Sequence, residues 1–153
     1  QLYSGTVDLD AYESCLKKLH HPVMYNGDIT SPERYRMLSQ RFPATSGWMI
    51  GRGVLTDFYL PAKIQGLSVP STDECRRQMF RFHTDFLCEM EERWGKESAL
   101  LNKIKEQWLN FSKMYINAES IFMKLRLINN YSEMKKLILD VAEHEMLKPL
   151  DEA

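Results

Sequence analysis

Two short apolar runs separated by a capped helix lie within residues 22–50, and that order constrains the fold more than any other stretch. The first run, residues 22–25, reads as a strand that stops at Asn26-Gly27-Asp28. Asn-Gly between strands ordinarily makes a tight hairpin, which needs a second strand straight after the glycine. Here Ser31 offers an N-cap hydroxyl instead, and Pro32 takes the first helical position, where its missing N–H costs nothing. The pattern predicts a helix over residues 31–40 and a second strand over 48–50. Strand, helix and strand within about 30 residues make a βαβ unit, so the two strands are expected to be parallel neighbours. Asn26-Gly27-Asp28 and Gly51-Arg52-Gly53 then leave the strands at the same edge of the sheet.

The remainder of the chain reads differently. Residues 8–19 have helical spacing, with Leu9, Tyr12 and Leu16 on one side, and residues 60–65 look helical as well. Beyond Gly66–Pro70 no strand-like alternation occurs, so domains are expected over residues 1–66 and 67–153. Ser71-Thr72-Asp73-Glu74 is a capping box opening a long helix with the stripe Cys75, Met79, Phe82, Phe86 and Met90, closed near Trp94-Gly95. Residues 96–115 carry Leu101, Ile104, Trp108, Phe111 and Tyr115 at spacings of three and four. Asn117 and Ser132 are candidate caps for two further helices, which completes a small helical bundle.

Composition narrows the function classes. No run of about 18 apolar residues could span a bilayer, and the N-terminus shows neither a basic signal region nor an initiator Met, which suits a fragment or processed chain. Cys15, Cys75 and Cys88 form no C-x-x-C pair, so reduced, mostly buried thiols in a cytoplasmic protein are expected. The four histidines lack metal-ligand spacing, and the sequons at Asn110 and Asn130 read as chance matches. Net charge is −1, but residues 96–136 hold eight Lys and Arg against four Glu, between acidic flanks. Such a stretch is either a phosphate-facing surface or an ordinary solvated helix face, and charge alone favours the second.

The two loops carry the chemistry. Glycine lets backbone N–H groups approach a ligand closely, and Arg52 adds a permanent fork of donors suited to phosphate. In eight-stranded α/β barrels the loops after the last two strands often hold a phosphate, with a short helix beginning beside them. Either tripeptide alone is weak evidence, and the pair across one βαβ unit is stronger.

YNGDI, followed some twenty residues later by WMIGRGVL, resembles the last two barrel strands of the FMN-dependent tRNA-dihydrouridine synthases. QLYSGTVDLDAYE, LLNKIKEQW and MKLRLI are similar to flanking segments of that family, most closely over residues 1–66. The resemblance implies an α/β plus all-α chain: a C-terminal TIM (β/α)8 barrel fragment with its last two strands, then a helical bundle domain. It implies FMN phosphate binding by Asn26, Gly27, Gly51 and Arg52, and tRNA docking by Lys103, Lys105, Lys124 and Arg126. Family enzymes reduce uridine to dihydrouridine with NADPH as reductant, using a cysteine acid from the first half of the barrel. No position here matches that cysteine, so the chain alone is expected to be inactive, and an exposed sheet edge could pair with a second copy. Two alternatives stay open: a non-enzymatic helical RNA- or protein-binding module, and a different FMN-dependent barrel oxidoreductase.

Overall fold

A computed structural model describes residues 5–149, which divide between Ser68 and Val69 into two compact units. In the first unit, helix α1 (Leu9–Lys18) starts where the Asp8 carboxylate accepts the Ala11 N–H. Strand β1 (Met24–Asn26) follows, and helix α2 (Pro32–Arg41) begins at Ser31, whose hydroxyl accepts the Arg34 N–H at 3.1 Å. Strand β2 (Gly47–Met49) leads into two five-residue helices, α3 (Arg52–Thr56) and α4 (Leu60–Ile64). The strands pair in parallel, as the βαβ order requires, with Met24 opposite Gly47, Tyr25 opposite Trp48 and Asn26 opposite Met49.

One face of this sheet meets the core. Tyr25, Ile29, Leu38 and Phe42 are buried there, with Leu9, Tyr12, Leu16, Tyr35 and Trp48 packed around them. The Tyr12 ring stands edge-on to both Tyr25 and Phe42 at 5.0 Å, an arrangement that aromatic quadrupoles favour. Met24 and Met49 remain 63% and 52% exposed.

The TIM-barrel fragment expected from the sequence is overturned. The described residues are 65% helical and hold a small sheet of two parallel strands, so this is a mostly helical chain. A barrel is a sheet closed on itself through eight strands. The described residues offer two strands of three residues each, far short of the eight that closure requires.

The second unit consists of helices α5 (Thr72–Arg93), α6 (Glu97–Phe111), α7 (Ala118–Leu127) and α8 (Tyr131–His144), with a 3-10 turn at Ser112–Met114. Ser71 caps α5 by accepting the Glu74 N–H. Its buried stripe is Cys75, Met79, His83 and Leu87, while Phe82, Phe86 and Met90 are half-buried at its edge. Helix α6 buries Leu100, Leu101, Ile104, Trp108 and Phe111. Asn130, rather than Ser132, caps α8 by accepting the Glu133 N–H at 2.8 Å. Asn117 makes no side-chain cap and donates to Glu145 instead. Cys75 is buried, but Cys15 and Cys88 are exposed, contrary to the expectation of mostly buried thiols.

Candidate functional site

The register that sets Asn26 opposite Met49 brings the loops after both strands to one rim. Asn26 ends β1 and is exposed, and Gly27 and Asp28 follow it. Past β2 the chain reaches Gly51 and enters α3 at Arg52, so the short helix starts within the second loop. Side chains from the two loops then meet: the Arg52 guanidinium donates through Nη2 to Asp28 Oδ1 at 3.0 Å. Both partners are about half exposed, at 53% and 49%, so the rim is solvated and the pair itself adds little stability.

The three loop glycines serve different purposes. A Cβ at Gly53 would lie 2.2 Å from the Ile29 carbonyl oxygen and 3.0 Å from Leu60 Cδ2. Only glycine lets α3 press this closely on the chain leaving β1, which fixes the spacing of the loops. A Cβ at Gly27 would meet the Tyr25 hydroxyl at 2.5 Å, so this glycine makes room for a core ring. At Gly51 a Cβ would meet nothing within 4 Å, and the residue is exposed on the rim. Beneath Gly27 the Tyr25 hydroxyl is buried without a hydrogen-bond partner among the described residues. Burial pushes that hydroxyl above the ordinary phenol range, Arg34 opposes the rise and Asp28 adds to it. On the far side of α3, Asp57 accepts the Tyr59 N–H and pairs with the mostly buried Lys63 ammonium at 2.7 Å. That pair anchors α4.

The basic residues of the helical unit separate into two groups. Lys103 donates to Glu106 at 2.8 Å and its ammonium lies 5.7 Å from the centre of the Trp94 ring. Lys105, two positions on and therefore about 200° around the helix, donates to the Arg126 carbonyl oxygen at 3.1 Å. It thereby satisfies one of the last carbonyls of α7. Lys124 and Arg126 are exposed in the last turn of that same helix, where positive charge complements the helix dipole. The fold thus gathers Lys105, Lys124 and Arg126 at one helix end and turns Lys103 towards another neighbourhood.

Two features lay outside the sequence-derived set. Asp28 was visible in the Asn-Gly-Asp triplet, but its pairing with Arg52 depends on strand register. His83 is fully buried, with its Nε2 3.3 Å from the Tyr115 hydroxyl and Nδ1 without a partner among the described residues. Burial pulls its imidazole down to about 3. Its place midway between Met79 and Leu87, at i+4 spacing, is the signal that could have identified it as a core residue.

Among the described residues no group of three His, Cys, Asp or Glu side chains could hold a metal ion, and no helix is long and apolar enough to cross a membrane. Neither a protein-family model nor a curated protein matches the chain.

Proposed function

We propose that the chain serves an FMN-dependent tRNA-dihydrouridine synthase, supplying a rim for the flavin phosphate and a helical unit for the tRNA. The observation that supports this most is the meeting of the two glycine-bearing loops on one rim, with Arg52 reaching across to Asp28. A half-exposed guanidinium beside an exposed glycine is a donor set that suits a phosphate. In this reading Arg52 provides the charge, Asn26 an exposed amide, and Gly27 and Gly51 the backbone of the two loops. Bound FMN, reduced by NADPH in the whole enzyme, supplies the hydride for a uridine double bond. The chain's own contribution is to hold and orient the phosphate. Neither exposed Cys15 nor Cys88, nor buried Cys75, is assigned the general-acid role.

On the helical unit, Lys124 and Arg126 are the strongest candidates for tRNA phosphate contacts, with Lys105 supporting their helix end. Lys103, paired to Glu106, has less charge to offer.

Titration of FMN by flavin fluorescence tests the rim. Arg52→Ala is expected to weaken FMN binding about tenfold, as loss of a charge-assisted contact does. Unchanged affinity removes the rim from the site. If tRNA binding then keeps a steep salt dependence, the helical unit is an RNA-binding module without flavin chemistry.

A further inference from the structure

Asp28 pairs with the same guanidinium that a bound phosphate would use, and this inference rests on the flavin-phosphate reading. Its carboxylate takes one guanidinium nitrogen at 3.0 Å, and both groups are about half in solvent. An exposed pair of this kind is weak enough to yield to a stronger acceptor. A phosphate offers several oxygens and can take two guanidinium N–H groups at once. The carboxylate and the phosphate would then compete for Arg52 and repel each other.

We propose that Asp28 is an affinity- and specificity-determining residue, an internal competitor that keeps the rim from holding weak anions and admits a phosphate strong enough to share or displace it. Arg52 is therefore kept oriented at the rim while its grip on anions is held down. Gly53 gives the competition its geometry, because the close approach of α3 to the Ile29 carbonyl holds Arg52 within reach of Asp28.

Asp28→Asn separates charge from orientation, since the amide oxygen can still accept from Arg52. Circular dichroism verifies folding, and titrations use FMN, riboflavin and inorganic phosphate as probes. The expected result is FMN and phosphate binding tightened about fivefold, from removal of a competing pair and its repulsion, with riboflavin unchanged. Weaker or unchanged FMN binding overturns the inference, because Asp28 would then help the anion or ignore it. Equal tightening of riboflavin also overturns it, because the effect would not concern the phosphate. Arg52→Ala measured in parallel keeps the two readings apart. If that variant binds FMN normally, the rim reading itself fails, whereas weakening by Arg52→Ala without tightening by Asp28→Asn refutes only the role of Asp28.

Discussion

His83 makes the stability of the helical unit depend on pH in a calculable way. Its ring is fully buried, with the rings of Trp108, Phe82 and Phe111 centred at 4.8, 5.2 and 5.7 Å. Among the described residues its hydrogen-bonding contact is the Tyr115 hydroxyl at 3.3 Å. Burial is the cause that acts on the imidazole, and it holds the folded-state value at about 3 against an ordinary 6.5. The unfolded chain therefore binds the proton more readily than the folded one. The stabilisation is fully present above about pH 6.5 and is lost as pH falls from there towards 3. Between about pH 7 and pH 5 the linkage relation gives a loss of roughly 2 kcal/mol from this one group. The assay is urea unfolding followed by far-ultraviolet circular dichroism, at both pH values, for the native chain and His83→Leu. Leucine cannot titrate, and any constant offset from the substitution cancels between the two pH values. The native chain is expected to lose about 2 kcal/mol more than the variant. Equal losses would show that the buried imidazole is not the acid-sensitive group, and would refute the reasoning.

Further outcomes follow from local geometry. Gly53→Ala places a methyl group against the Ile29 carbonyl and is expected to lower the stability of the first unit by about 1–3 kcal/mol. Gly51→Ala meets no neighbour and should cost less, so thermal melts that rank the two in the opposite order would contradict the packing account. Ser31→Ala removes the acceptor for the Arg34 N–H and should cost about 1 kcal/mol, read as a shifted urea midpoint by far-ultraviolet circular dichroism. An unmoved midpoint would show that the cap is dispensable. If the helical unit binds tRNA, Lys124→Ala with Arg126→Ala should flatten the salt dependence by roughly 1–2 in slope, while Lys103→Ala changes it little. A larger effect from Lys103 would reverse that assignment.

Much of the local architecture was legible before any coordinates. Ser31 with Pro32, and Ser71 with Glu74, marked two helix starts where the structure has them, because a cap is an interaction among residues only a few positions apart. The parallel strands were implied by the helix between them, since a connection of that kind cannot make a hairpin. The long helix α5 is visible by its period, and the expected inward stripe holds at Cys75 and Met79 but departs from the buried face beyond them. Phe82 and Phe86 look like core residues by hydrophobicity, yet His83 and Leu87 take the centre, because neighbouring helices decide which side of an apolar band is covered. Likewise, Lys103 and Lys105 are alike in sequence, and only the helix turn and the end of α7 give one a carboxylate and the other a carbonyl.

Sequence by itself determined the starts of α2 and α5, the parallel order of the strands and the presence of two glycine-bearing loops, all set by short-range sterics and hydrogen bonding. Tertiary structure alone decided that the sheet of the described residues has two strands, that Arg52 reaches Asp28 and that His83 is sealed from water. Those outcomes depend on how distant segments pack. Burial and pairing across the fold are collective, and no short window of residues contains them.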